Sequence, residues 1–198
     1  MKIILASKSP RRRKMFDELK IEHILWDGEV DENSLKDKIK NLSPSKQVEL
    51  LAKAKAEGCF DDTKDKDSLI IAADTVVALN GNILGKPIDD DDARKMLNSM
   101  SDTVHYVYSG VCAIYNGKTV SSSEKTKIKF RKITDKEIER YIETGEHKDK
   151  AGSYGIQEKG GYFVESICGD INNVVGLPIL KLRNMILDEF KIDLFDLN

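Results

Sequence analysis

The chain has 198 residues, 40% hydrophobic and 33% charged, with 32 basic and 34 acidic side chains and a net charge of −2. That length suits one domain, and the near balance argues against a polybasic binder of nucleic acid or membrane, whose affinity rests on neutralising phosphates. The 3 cysteines (Cys59, Cys112, Cys168) lie far apart without a CxxC pair and the 3 histidines (His23, His105, His147) sit singly, so buried free thiols are expected rather than a disulfide framework or a zinc site.

Ile3 to Ala6 is a short apolar run that reads as a buried strand; it is too short for a signal peptide, and no later run approaches a membrane span. A cytoplasmic globular protein is the expectation. Ser9 and Pro10 read as N-cap and first residue of a helix with Met15, Phe16 and Leu19 on its apolar face. A second strand is expected at His23–Trp26 and an acidic loop around Glu29–Glu32. Ser43-Pro44 opens a helix to about Glu57, and Asp61–Asp67 reads as a surface loop. Leu69–Leu79, Asn80-Gly81 and Asn82–Leu84 spell a hairpin with a type I′ turn. A helix is expected over 89–100, then a second hairpin, Val104–Tyr115 and Lys118–Phe130 across Asn116-Gly117. Thr134 and Glu137 form a capping box for a helix that Gly145 ends. Ser153–Gln157 and Tyr162–Cys168 read as a third hairpin across Gly160-Gly161, and Pro178 opens a last helix with Ile179, Leu182, Met185 and Ile186 inward. The pattern predicts one α/β domain, two-lobed, with a mixed sheet flanked by helices.

Functional sites tend to lie where local rules conflict. Arg11-Arg12-Arg13-Lys14 puts four cations in the first turn of a helix, where the dipole favours anions. This is either a solvated basic face or an anion site in which helix N–H groups, Ser7, Ser9 and guanidinium forks converge on a polyphosphate; no P-loop pattern is present. Asp74 stands inside Leu-Ile-Ile-Ala-Ala-Asp-Thr-Val-Val-Ala-Leu, although aspartate is depleted in strands and costly to bury. It is either held by backbone N–H groups or, as preferred here, a general base or metal ligand. Lys55 shares a helical face with Val48 and Leu51, whereas Lys53 falls with Lys46, Glu49 and Glu57 on the solvated side; Lys55 either snorkels or aims its ammonium into a cleft. Lys86 follows a hairpin at a strand end. Asp89–Asp92 reads as dipole-complementing helix caps. Glu29, Asp31 and Glu32 either hold a hard cation such as Mg²⁺ or are solvated loop acids.

Leu5-Ala6-Ser7-Lys8-Ser9-Pro10-Arg11-Arg12 resembles the opening signature of the Maf family of nucleoside triphosphate pyrophosphatases. Ala73-Asp74-Thr75-Val76-Val77, Leu84-Gly85-Lys86-Pro87, the run from Asp149 to Gln157, and Asn173-Val174-Val175-Gly176-Leu177-Pro178 follow in that family's order. The resemblance implies a Maf/ITPase-like fold with a substrate cleft, a homodimer, and hydrolysis of a nucleoside triphosphate between its α and β phosphates with a divalent cation, Mg²⁺ or Mn²⁺. It implies that Asp74 accepts the proton, that Glu32 or Asp74 holds the metal, and that Ser7, Ser9, Arg11, Arg12, Lys55 and Lys86 bind substrate. Arg11, Thr75 and Gln157 resemble the dTTP/UTP group, whereas the 7-methyl-GTP group commonly has tryptophan at the first of these; the amide of Gln157 donates and accepts, as a pyrimidine edge requires. A pyrophosphatase for purines and a nucleotide-sensing, septum-inhibiting binding protein are the alternatives. Two departures from the family pattern, Ser101-Asp102 for Ser-Gly and Asp170-Ile171-Asn172 without an aromatic, bear on loop shape.

Overall fold

Residues 1–197 are described by a computed structural model, in which β1 (Ile3–Ala6), β2 (Ile24–Leu25), β3 (Leu69–Leu79), β4 (Asn82–Leu84), β5 (Val104–Tyr115), β6 (Lys118–Phe130) and β7 (Val164–Cys168) make one sheet. Its order is β2-β1-β3-β5-β6-β7, with β4 paired to β3. The sheet is mixed: β1 runs parallel to β2 and to β3, while β3/β4 and β6/β7 are antiparallel. Helices α1 (Pro10–Glu18), α2 (Glu32–Ile39), α3 (Pro44–Thr63), α4 (Asp90–Met100), α5 (Asp135–Glu143), α6 (Ile171–Val175) and α7 (Ile179–Phe190) flank it. The mixed α/β architecture expected from the sequence is therefore present. The chain forms two compact units, one of Met1–Asp74, Ser109–Glu124 and the segment from Gly176 on, the other of Thr75–Tyr108 and Lys125–Val175.

In the first unit Ile4, Ala6, Ile70 and Ala72 pack on Ala52, Ala56 and Cys59 of α3, with Cys112 and Ile114 of β5. The small residues allow close approach, and Gly110 on β5 meets the α3 backbone so tightly that a Cβ there would lie 2.2 Å from the Val48 carbonyl oxygen. Several boundaries differ from the sequence reading. Helix α3 runs past Glu57 to Thr63 and ends at Lys64 in the left-handed region, so part of the expected Asp61–Asp67 loop is helical. Burial of Cys59, and the seating of Gly58 against the Val30 side chain, outweigh the low helix propensity of that glycine. Glu32 opens α2 instead of lying in a loop, because Asp31 caps the helix by accepting the Ser34 N–H at 3.0 Å. Leu19 falls just past the end of α1 and is exposed, and β2 keeps only Ile24 and Leu25 of the strand expected at His23–Trp26. In α7, Leu182 and Ile186 are buried and Ile179 and Met185 half-buried.

In the second unit Val77, Leu97, Met100, Val107, Ile128, Phe130, Ile138 and Phe163 belong to a separate core. Both Asn-Gly turns carry positive φ at each central residue, 51° and 82° at Asn80-Gly81, 51° and 74° at Asn116-Gly117, as the type I′ geometry demands. Asp89 caps α4 through the Asp92 N–H, and the Thr134–Glu137 capping box is complete. Asp102 takes a positive φ of 53° and is held by Lys129. The third expected hairpin does not form. Asp149, Gly152 and Ser153 all have positive φ, which breaks an extended strand, and Ala151–Ser153 and Lys159–Phe163 are 3-10 turns. Strand β7 pairs with β6 instead. Of the thiols expected to be buried, Cys59 and Cys112 are, but Cys168 on β7 is exposed.

Candidate active site

The four cations of α1 separate by helical position. Arg13 and Lys14 stay on the solvated face, within ion-pair distance of Asp17 and Glu18 one turn on (3.9 and 3.7 Å). Arg11 is half-buried and Arg12 buried. Arg12 Nε donates to the Gly176 carbonyl at 2.7 Å and Nη1 to Ser7 Oγ at 3.2 Å. Ser7 Oγ also accepts the Ser9 N–H at 3.3 Å. The Ser9 hydroxyl, at the N-cap position, makes no capping bond, so it and the first turn of α1 keep hydrogen-bonding capacity for another group. Burial lowers the Arg12 pKa, opposed by the charges of Asp74 and Glu32 and reinforced by Arg11; an arginine remains charged throughout the working range. This guanidinium bridges residues 164 apart in the sequence.

Asp74 is buried near the middle of β3, after five fully buried residues from Leu69 to Ala73. Lys55 projects from α3 on the face of Val48 and Leu51, both buried, and reaches the carboxylate: Nζ lies 2.6 Å from Asp74 Oδ1. The same ammonium stands 3.2 Å from Glu32 Oε1. Lys36, one turn along α2, sits 3.2 Å from Glu32 Oε2. Burial would raise the Glu32 pKa, but Lys55 and Lys36 outweigh it and hold the carboxyl below its ordinary value. Glu32, Lys55 and Asp74 thus come from three elements to share one cation, with Arg12 close enough to feel both acids.

The remaining candidates lie on the second unit. Thr75 follows Asp74 on β3 and is half-buried. Lys86 is exposed in the loop after β4, and Gln157 is exposed between the two 3-10 turns. The segments that carry them are joined by the Gly152 N–H, which donates to the Gly85 carbonyl at 2.9 Å. Gly152 must be glycine: its φ is +67° and a Cβ would lie 2.9 Å from Val77 Cβ.

The family model for "Maf-like protein" matches residues 2–189. The chain belongs to the Maf family. A relative from Pyrococcus furiosus named dTTP/UTP pyrophosphatase is 48% identical over 186 residues, which is 93% of this chain and 94% of its own length. A protein of the same name from Alkaliphilus metalliredigens is 45% identical over 196 residues, 98% of both chains, and one from Thermosipho africanus is 44% identical over 193 residues, 98% of this chain and 96% of its own.

A divalent cation fits this donor set in this Maf chain. Glu32 and Asp74 offer hard carboxylate oxygens to one shared cationic locus, and Glu32 is held ionised. Among the described residues no group of three or more His, Cys, Asp and Glu converges. One or two carboxylates completed by water and substrate phosphates is the usual mode for Mg²⁺, not an all-protein cage. Two participants escaped the sequence reading. Lys36 was hidden because Glu29–Glu32 was read as a loop; the Asp31-Glu32-Asn33-Ser34 cap and the i,i+4 spacing to Lys36 are the signal that reveals it. Gly176 was read only as part of the Asn173–Pro178 motif, since a backbone carbonyl leaves no mark of its role on the residue type.

Proposed function

We propose that this chain hydrolyses dTTP and UTP between the α and β phosphates, giving the nucleoside monophosphate and pyrophosphate, in a nucleotide-pool house-cleaning role. The observation that carries the reading is the Glu32–Lys55–Asp74 cluster beside the buried Arg12, in a family whose relatives at 44–48% identity bear the name dTTP/UTP pyrophosphatase. Asp74 Oδ is the proton acceptor for the water that attacks the α phosphorus, and the rise of charge on the leaving pyrophosphate is offset by Arg11, Arg12, Lys55 and Lys86. Ser7 and Ser9 hydroxyls and the first turn of α1 orient phosphate oxygens. Glu32 and Asp74 would hold Mg²⁺ or Mn²⁺, which supplies charge neutralisation when bound. Arg11, Thr75 and Gln157 are the residues proposed to select a pyrimidine nucleotide.

Residues 1–198 are read as one Maf-like domain, supported by a family match that runs through both units and by a chain that crosses between them four times, at residues 74/75, 108/109, 124/125 and 175/176. A homodimer and a cytoplasmic setting are proposed on the family resemblance. Among the described residues no helix is long and apolar enough to cross a membrane. The direct test is Asp74→Asn, expected to lower kcat for pyrophosphate release from dTTP on the order of 10²- to 10⁴-fold; a variant within a factor of about three of the parent removes Asp74 from that role. Tight dTTP binding by the parent without turnover, with Mg²⁺ or Mn²⁺ added, would favour the sensing alternative.

A further inference from the structure

Gln157 is exposed and makes no hydrogen bond or ion pair among the described residues, yet the backbone around it is fastened at four points. Tyr154 is buried with its ring edge-on to Phe130 and its hydroxyl 2.8 Å from His105 Nε2. The Gly155 N–H donates to Tyr141 Oη at 3.2 Å. Glu158 pairs with Lys150 at 2.9 Å, and Lys150 Nζ also donates to the Glu146 carbonyl at 2.7 Å. The Lys159 N–H donates to Glu146 Oε2 at 3.0 Å. Packing leaves no slack: a Cβ on Gly155 would lie 2.5 Å from Lys150 Cε, and one on Gly160 would lie 2.7 Å from the Gly155 carbonyl oxygen. Ile156, beside Gln157, is packed against the core of this unit.

A side chain on a fastened backbone has its point of attachment and its Cα–Cβ direction set before a ligand arrives, which removes the backbone share of the ordering cost of recognition. The adjoining N–H and carbonyl of a thymine or uracil ring need one acceptor and one donor side by side, which an amide supplies. We propose that Tyr141 and Lys150 are positioning residues for base selection, holding Gly155–Lys159 so that the Gln157 amide meets the pyrimidine edge. The inference rests on the dTTP/UTP reading above. Tyr141 acts through its hydroxyl on the Gly155 amide, and Lys150 through Glu158.

The experiment measures pyrophosphate release from dTTP, UTP and, as a probe whose ring N–H is blocked, 3-methyl-UTP. Tyr141→Phe removes one oxygen and keeps the ring against Phe163, whose centroid is 5.1 Å away; Lys150→Met keeps the stem over Gly155 and serves if the first variant does not fold. The expected result is a KM for dTTP raised about tenfold with kcat within about twofold, and a UTP-over-3-methyl-UTP preference reduced about tenfold. On a Gln157→Ala background the same substitutions bring no further loss of preference, because the three act as one unit. Loss of kcat on all three nucleotides with the preference intact, or full additivity with Gln157→Ala, overturns the inference. A parent protein that favours UTP over 3-methyl-UTP and variants that favour it equally overturn the inference alone. A parent that releases no pyrophosphate from dTTP or UTP overturns it together with the reading beneath it.

Discussion

Lys55 holds two carboxylates that would otherwise repel, at 2.6 Å from Asp74 and 3.2 Å from Glu32. Removing this half-buried partner leaves the buried Asp74 charge uncompensated and takes a cation from the developing pyrophosphate. Lys55→Met is expected to lower kcat/KM for dTTP on the order of 10²- to 10³-fold, measured by steady-state pyrophosphate release; a change within a factor of about three contradicts the assignment. Asp74 and Lys55 were each legible in the sequence, because a lone aspartate in an apolar strand and a lysine on an apolar helical face both violate local rules, but their pairing was not. The anchorage of Arg12 was only half legible. The clash of a basic run with the helix dipole pointed to the run as a whole, but not to the one guanidinium that meets the Gly176 carbonyl far along the chain. Glu32, singled out in the sequence as a candidate, was wrongly assigned to a loop, since the acidic run masked its Asp31 cap.

Elements whose geometry is set locally were readable to the residue. Both Asn-Gly hairpins match their expected limits because the two positive φ angles of each turn fix register through the nearest neighbours. The segment 149–163 was misread because its conformation depends on left-handed residues and long-range anchors, and its Gly160-Gly161 pair mimics a hairpin turn. Helix α3 and strand β5 approach at Gly110, where backbone rather than side chain is the neighbour. Gly110→Ala is therefore expected to destabilise by about 3 kcal/mol, the upper part of the range for overpacking, since a carbonyl cannot step aside like a flexible side chain. Urea denaturation reads this directly, and a loss below about 1 kcal/mol contradicts the close approach.

Each of the two units has its own apolar core, and a histidine is buried against that of the second. His105 is fully buried between Phe130 and Tyr154, and burial pushes its pKa down to about 4. Between its unfolded value near 6.5 and about 4, the unfolded chain binds a proton that the folded one does not, so stability falls as pH drops through that window and is unaffected by this group above it. The contribution is about 2 kcal/mol between pH 7 and pH 5. His105→Gln, which keeps a polar partner for Tyr154, is expected to flatten the dependence of unfolding free energy on pH in that interval; an unchanged slope contradicts the buried neutral imidazole. At the scale of the reaction, the central claim is that water attacks the α phosphorus of a pyrimidine nucleoside triphosphate. Turnover of dTTP in water carrying heavy oxygen, with products resolved by mass, tests it most directly: the label is expected in the nucleoside monophosphate with unlabelled pyrophosphate, and label in pyrophosphate or in free phosphate would contradict it.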